Sequence, residues 1–424
     1  MVGQLVGTVP RYLELLRSQY WSEERWRGYR QARLERVLEA AARIPFYARR
    51  FGKAASPMDF NRLPVLRRSE IAELNRSVRD SSPAGSDLIV DWSSGSTAMP
   101  AEFIYDRAHQ RGRFAARARY LRSHGWSPFL RTAWLVKLNF LSGGSQDSEL
   151  VRSPLFGIGN SLPNLDEFEA QFEFLRRYDP VFIYSFPSNL EGLLPLFERS
   201  GLRPPRLRGI FTGAEVLDDA LRGRIESVFG VPVAENYGST EAFLAWQCPN
   251  GGFHVNAEHV IVEVVDDHAE ACGPGEMGRV LVTTLENLKM PLIRYEIGDY
   301  ATAAGEDRCV CGRTLPIIGR VMGRSMNLFR ARDGRLLSPW PLVEPLKARR
   351  ELKQFQIVQT AADSFVVKFV AAAPLEREGR AFVEESFTKV LGIPVQVEFR
   401  EVNEIARSRV GKFMIAISEM SPPS

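Results

Sequence analysis

The sequence predicts an α/β protein with a large N-terminal domain of mixed sheets and helices and a small α+β C-terminal domain. Three observations carry this. Between about residues 85 and 300, short apolar runs alternate with amphipathic stretches, the pattern of a sheet with parallel pairings. Within that span, two β-rich runs between 259 and 284 flank a Gly/Pro turn. Beyond about residue 350 the order changes to β-β-α-β, which makes a small α+β unit.

The elements follow in chain order. The first fifty residues read as helix, because Leu34, Val37, Leu38 and Ala41 recur at helical spacing and Pro45 stops the pattern. The arginines between them form a solvated face. Residues 88–92 and 132–138 read as strands, 165–177 as helix, 181–185 and 207–212 as strands, and 218–228 as helix. Residues 259–266 and 279–284 make a hairpin. Near the end, 354–359 and 365–370 are strands, 375–391 is a helix after Pro374, and 394–399 is a last strand. A polar turn at Arg330, Asp333, Gly334 and Arg335 marks a domain boundary between about 320 and 340, which we draw between a domain at 1–324 and a small domain at 325–424.

Composition narrows the function. The 424 residues are 45% hydrophobic and 25% charged, which excludes wholesale disorder. No run approaches the roughly 18 apolar residues of a membrane span, so no membrane insertion is expected. The N-terminal residues show no charged-then-apolar leader pattern, and a cytoplasmic location is expected. A formal charge of +4, with no basic block interleaved with aromatics, speaks against nucleic acid as a partner. Four cysteines in so long a chain are not a disulfide scaffold. The sequence leaves oligomeric state open.

Four segments offer chemistry. Ser93, Ser94, Gly95, Ser96 and Thr97 form a hydroxyl-rich loop that can wrap phosphate oxygens, without the Gly-Lys ending of a Walker loop. Asn236, Tyr237, Gly238, Ser239, Thr240 and Glu241 combine an aromatic ring, hydroxyls and a carboxylate that can hold Mg²⁺. In its structural reading this is a loop whose Thr240 caps a following helix. Asp299, after Gly298, can accept hydrogen bonds from two sugar hydroxyls or simply make a turn. Lys412, after Gly411, can neutralise charge at phosphorus or belong to a solvated basic tail.

In this order, and with Gly213, Ala214 and Glu215 and then Gly323-Arg324 between them, the segments resemble the adenylate-forming superfamily. Within it the chain most resembles the phenylacetate–CoA ligase family and its relatives in polysaccharide and secondary-metabolite biosynthesis. Ile44-Pro45-Phe46-Tyr47 and Cys311-Gly312-Arg313-Thr314-Leu315-Pro316 carry that finer likeness. The resemblance covers nearly the whole chain. It implies an enzyme that uses ATP and Mg²⁺ to convert a carboxylic acid, by family analogy aromatic or arylacetic, into an acyl adenylate and pyrophosphate. Transfer to a thiol or amine follows, the acceptor being coenzyme A, a carrier protein or a small molecule.

By the same resemblance, Ser93 to Thr97 hold the ATP phosphates, and Gly213, Ala214 and Glu215 border adenine and the acyl group. Tyr237 flanks adenine, Thr240 the α-phosphate, and Glu241 the Mg²⁺; Asn236, Gly238 and Ser239 belong to the same nucleotide-binding segment. Asp299 takes the ribose with help from Arg324, and Lys412 bridges carboxylate and α-phosphate. The resemblance further implies a C-terminal domain that rotates near Gly323-Arg324. Tyr184, Phe186, Phe211 and Asn236 are candidate walls for the acid, the aromatics being otherwise core.

The chain departs from the family pattern at Ala98, where a Gly is usual, and at Met326, where the hinge acid is usual. Residues 329–334 do not match the usual tunnel segment. These changes weigh against coenzyme A as acceptor. They also motivate the alternative of a degenerate homologue that binds nucleotide or acyl group without turnover, against which Glu241, Asp299, Arg324 and Lys412 speak. An acyl transferase working without ATP would leave the phosphate loop and Lys412 unexplained.

Cys248 and His254 form one pair and Cys309 and Cys311 another, flanking the β-rich insert around 248–311. Cys₃His is an accepted structural Zn²⁺ set, although the spacings are not those of a finger. The alternatives are four reduced, unliganded side chains, or His259 in place of His254. Cys272 sits in a Gly/Pro turn and is incidental.

Overall fold

The computed structural model describes residues 2–51, 57–82, 88–93, 101–136, 150–153, 157–161, 167–305, 308–324, 327–347, 349–406 and 413–420. The chain divides into two compact units, Met1–Val321 and Met322–Ser424. The sequence reading put this division between Arg324 and Ser325. Among the described residues no helix is long and apolar enough to cross a membrane.

The N-terminal segment is helical as three pieces, α1 (Val2–Ser18), α2 (Glu23–Ala42) and α3 (Pro45–Phe51). Pro45 therefore opens a helix as well as closing one, because its missing N–H costs nothing in a first turn. Then follow α4 (Ile71–Ser81), β1 (Ile89–Trp92), β2 (Glu102–Tyr105) and α5 (Arg107–Ser123). The alternating middle is β3 (Thr132–Leu135), β4 (Leu150–Ser153), β5 (Gly157–Ser161), α6 (Phe168–Tyr178), β6 (Phe182–Ser185), α7 (Pro187–Ser200), β7 (Gly209–Gly213), α8 (Asp219–Phe229) and β8 (Val233–Gly238). The remaining strands of the unit are β9 (Phe243–Gln247), β10 (Phe253–Val255), β11 (Val260–Val265), β12 (Met277–Thr284), β13 (Tyr295–Thr302) and β14 (Ile317–Ile318).

Nine strands form one sheet in the order β14-β10-β9-β8-β7-β6-β3-β5-β4. Strands β5, β3, β6, β7 and β8 run parallel at its centre. Strands β3, β6 and β7 are buried at every residue, as expected for parallel strands covered on both faces. Helices pack on it through Ala115, Tyr120, Leu190, Leu194, Ile225 and Phe229. Asp218 caps α8 by accepting from the Leu221 N–H at 2.8 Å, and Asp106 caps α5 from the His109 N–H at 2.8 Å.

A second core lies between the N-terminal helices and the antiparallel strands β11, β12 and β13. It joins Leu38, Tyr47 and Leu74 to Val280, Val282 and Tyr295. The expected hairpin at 259–284 is β11 with β12.

The C-terminal unit begins within the strand Val321–Arg324, here β15, and continues as β16 (Phe329–Arg330), β17 (Leu336–Leu337), α9 (Trp340–Lys347), β18 (Leu352–Ala361), β19 (Ser364–Ala371), α10 (Arg377–Leu391), β20 (Gln396–Glu401) and β21 (Ala416–Ser418). Its sheet runs β20-β19-β18-β21. Strand β21, parallel to β18, completes it and was absent from the sequence reading. The polar turn at 330–335 links β16 to β17. Phe329, Leu342, Ile357, Val367, Val383 and Phe387 form this unit's own core.

Candidate active site

The segment Asn236 to Glu241 is the end of β8 and the tip of a hairpin. Strand β9 pairs antiparallel with β8, and the turn closes by the Ser239 N–H donating to Ala242 O at 2.9 Å. This corrects the reading of Thr240 as a helix cap, since a strand follows the tip. Glu241 is buried, and Ser239 and Thr240 are half-buried. The tip thus gathers a carboxylate and two hydroxyls within three consecutive residues, a set of hard oxygen donors suited to Mg²⁺.

Tyr237 points from β8 to β13, where its hydroxyl donates to Asp299 Oδ2 at 2.8 Å. Both side chains are buried. This bond ties the nine-stranded sheet to the antiparallel one at the two residues expected to hold adenine and ribose.

Next to them, the Asn236 amide donates to Thr212 O at 2.6 Å and to the Tyr184 hydroxyl at 2.9 Å. Gly213 permits this, because a Cβ there would come within 2.6 Å of Asn236 Nδ2. Ala214 follows with φ +68°, an uncommon left-handed conformation for a non-glycine residue. Glu215 accepts from the Ser188 N–H at 2.9 Å and the Ser188 hydroxyl at 3.0 Å, which makes it a cap for the start of α7.

Of the candidate acid-pocket walls, Tyr184, Phe186 and Phe211 are fully buried. Tyr184 stacks on Trp134 and Phe211 stacks on Phe182. Packing accounts for these rings, and Asn236 is the polar member of the group.

Ser93 closes the base of the phosphate loop. Its hydroxyl accepts from the Ala101 N–H at 2.8 Å and from Arg68 Nη2 at 3.0 Å. Ser94, Gly95, Ser96, Thr97 and Lys412 lie outside the described residues, as do Ala98 and Met326. Arg324 ends β15 and belongs to the C-terminal unit.

Several polar residues of this region were not singled out from sequence. His109 and Arg113 lie one turn apart on α5. His109 Nε2 donates to Glu241 O at 2.9 Å, and Arg113 Nη2 donates to Ser239 O at 3.2 Å. Burial, then His259 and Arg113, hold the His109 pKa well below the usual imidazole range, so it is neutral. Its ring stacks on His259 at 4.6 Å, His259 Nδ1 lies 2.5 Å from Glu286 Oε2, and Glu286 Oε1 pairs with Arg11. A Gly inside a helix normally costs stability, but any Cβ on Gly112 of α5 would collide with Glu286 and His259. Gly112 was the one local signal in α5. The partners lie on other elements far along the chain.

The insert brings Cys248, His254, Cys309 and Cys311 together, with one ligand atom from each lying within 4.8 Å of the others. Cys248 Sγ and Cys309 Sγ are 3.6 Å apart, and Cys311 Sγ is 3.2 Å from His254 Nε2. Zinc–sulfur bonds of about 2.3 Å at tetrahedral angles give sulfur–sulfur edges of about 3.8 Å, so the Cys248–Cys309 contact matches an edge of a zinc site and the whole set is close to its size. Burial, then Arg313, lowers the His254 pKa to about 4, leaving the neutral imidazole a metal needs. Burial pushes the Cys248 thiol up to about 11 when no metal charge is present. Cys311 is lowered despite burial, through hydrogen bonds from Arg313 and Cys309. His259 pairs with Glu286 and is not in the cluster. Cys272 is also outside it.

Known proteins give this arrangement a context. Residues 330–419 match the family described as CapK C-terminal domain. The chain is 28% identical over 329 residues to a phenylacetate–coenzyme A ligase of Thermus thermophilus, covering 72% of each chain. A solved structure of 2-hydroxyisobutyryl-CoA ligase, in the postadenylation state with its acyl-AMP, superposes with a TM-score of 0.75 at 21% identity, covering 95% of this chain and 93% of that one. O-succinylbenzoate coenzyme A synthetase from Bacillus subtilis, in complex with ATP and magnesium ion, gives a TM-score of 0.56 at 16% identity, over 77% and 68% of the two chains. The chain is a relative of the first and has the fold of the other two.

Proposed function

We propose that this relative of the phenylacetate–coenzyme A ligases is an ATP-dependent, adenylate-forming ligase. The phenylacetate–coenzyme A ligase relative and the two structural neighbours are acid–coenzyme A ligases, the neighbours held with acyl-AMP or ATP. The observation that carries the reading is the juxtaposition of Asp299 with Tyr237, at the end of the strand that leads into the Ser239–Glu241 tip. In this reading an adenine-flanking ring, a ribose acceptor and oxygen donors come together, and Arg113 links the tip to Asp91 at the stem of the phosphate loop.

The chemistry balances in two steps. The acid's carboxylate oxygen attacks the α-phosphorus of ATP, and pyrophosphate leaves with the electron pair of the broken P–O bond. A thiol or amine then attacks the acyl carbon, loses its proton, and expels AMP. Asp299 orients the ribose and Tyr237 holds Asp299 in place while flanking adenine. Thr240 contacts the α-phosphate. Glu241 and its neighbouring hydroxyls would hold Mg²⁺, which neutralises phosphate charge when bound. Lys412 neutralises charge on the attacked phosphate and aligns the carboxylate. An aromatic or arylacetic acid fits the kinship. Coenzyme A is the acceptor the relatives' names supply, and residues 329–334 weigh against it. We also read Cys248, His254, Cys309 and Cys311 as a structural zinc set.

ATP–pyrophosphate exchange with a panel of aryl, arylacetic, hydroxy and amino acids tests the reading. Exchange with one acid is expected, and Lys412→Ala should slow it by about two orders of magnitude with ATP binding nearly intact, the cost of removing one transition-state donor. Asp299→Ala should instead raise the KM for ATP. No exchange across the panel, in protein that binds ATP, would favour a nucleotide-binding homologue without turnover.

A further inference from the structure

We infer that α5 is the positioning element of the hairpin tip: His109 and Arg113 fix the backbone carbonyls of Glu241 and Ser239 and thereby aim the Glu241 carboxylate. This rests on the reading of Glu241 as the residue that holds Mg²⁺.

The geometry is specific. Residues four apart on a helix share a face, so His109 and Arg113 reach the same short loop. Their hydrogen bonds, 2.9 Å to Glu241 O and 3.2 Å to Ser239 O, grip the tip at two carbonyls either side of Thr240. His109 is fully buried and braced against His259, so its N–H direction is fixed. Arg113 also reaches back to the phosphate loop. Its guanidinium lies 3.9 Å from Asp91 and over the ring of Tyr105, whose hydroxyl donates to Asp91 at 3.0 Å. Asp91 is on β1, two residues before Ser93. One helical face therefore links the stem of the phosphate loop to the tip that carries Thr240 and Glu241. A short turn leaves the direction of its Cα–Cβ bonds variable, which weakens metal binding by a side chain it carries, and pinning the turn's carbonyls removes part of that variation.

His109→Phe keeps a ring on His259 and removes the donor. His109→Gln keeps an N–H of similar reach. Arg113→Met keeps the apolar stem and removes the guanidinium. ATP affinity is measured by calorimetry on the full chain, once with Mg²⁺ and once with EDTA, and thermal melting checks that each variant is folded. The wild type should bind ATP more tightly with Mg²⁺. His109→Phe and Arg113→Met should lose about tenfold of that Mg²⁺-dependent gain, the usual effect of freeing a metal ligand's support, with EDTA affinity within about twofold. His109→Gln should retain the gain. Folded His109→Phe or Arg113→Met protein with the wild-type Mg²⁺ effect overturns the clamp alone, and so does equal loss in His109→Phe and His109→Gln. Arg113→Met decides if His109→Phe does not fold. A wild type that binds ATP without any Mg²⁺ effect overturns the role of Glu241, and the clamp with it.

Discussion

Protein purified without chelator should carry about one equivalent of zinc, and Cys309→Ser should remove it and lower the melting temperature. The four ligand atoms already stand within 4.8 Å of one another, so the fold brings them together and a metal has only to draw them in by about an ångström. They come from three separate stretches: the β9 end and the turn after it, β10, and the loop at 309–315. The Cys248 N–H donates to Gly252 O at 2.9 Å, and Val255 N–H to Pro316 O at 2.8 Å, so backbone bonds already hold these stretches in register. A metal adds charge neutralisation for thiolates that burial otherwise disfavours, as the raised Cys248 thiol records. Structural zinc contributes on the order of 10–16 kcal/mol in finger peptides that fold around it. In a preformed setting a smaller part is released, and we expect about 3 kcal/mol, which at roughly 1–2 °C per kcal/mol for a unit as large as Met1–Val321 is about 3–6 °C. Cys272→Ser is the control and should change neither metal content nor melting. Metal-free wild-type protein, or Cys309→Ser that keeps its zinc, would count against a zinc site.

How much of this could be read from sequence depended on whether the signal was local. The strands β6 and β7 and the helix α8 were legible because parallel strands buried on both faces leave apolar runs, and an Asp before an amphipathic run marks a helix start. Tyr237 and Asp299 were legible as residue types in motifs, but their hydrogen bond spans 62 positions and has no local trace. The metal-type residues showed the same division, since the two short contacts span 61 and 57 positions. The alternative of Thr240 as a helix cap fails because hydroxyl-rich turns precede helices and strands alike, and here a strand follows. Strand β21 escaped because it is three residues long and follows a basic stretch. His109, Arg113 and Arg119 were invisible for another reason. Charged residues on an Arg-rich helix look solvated, and only the folded chain reveals that this face is turned inward.

Arg119→Met should be among the most destabilising single substitutions in the chain, costing about 3–5 kcal/mol, because it strands a buried carboxylate. Arg119 and Glu258 are 1% and 0% exposed. The guanidinium makes a two-pronged pair with Glu258, at 2.6 and 3.1 Å, and also donates to Asn256 Oδ1 at 2.7 Å and Leu15 O at 3.2 Å. Ser18 of α1 completes the shell of Glu258 with its hydroxyl. One ion pair therefore joins α1, α5 and the turn before β11. Its net worth against an apolar pair is small, since both charges lost their water on folding, but half of it is worse than none. Arg119→Met with Glu258→Leu should consequently be markedly more stable than Arg119→Met alone, by about 2 kcal/mol in a double-mutant cycle read by urea unfolding. A double variant no more stable than the single would mean that packing around Arg119, and not the orphaned charge, sets the cost. The pair also lies on the helix that carries His109 and Arg113. Arg119→Met should therefore loosen the hairpin tip as well, and the double variant should restore Mg²⁺-dependent ATP binding along with stability.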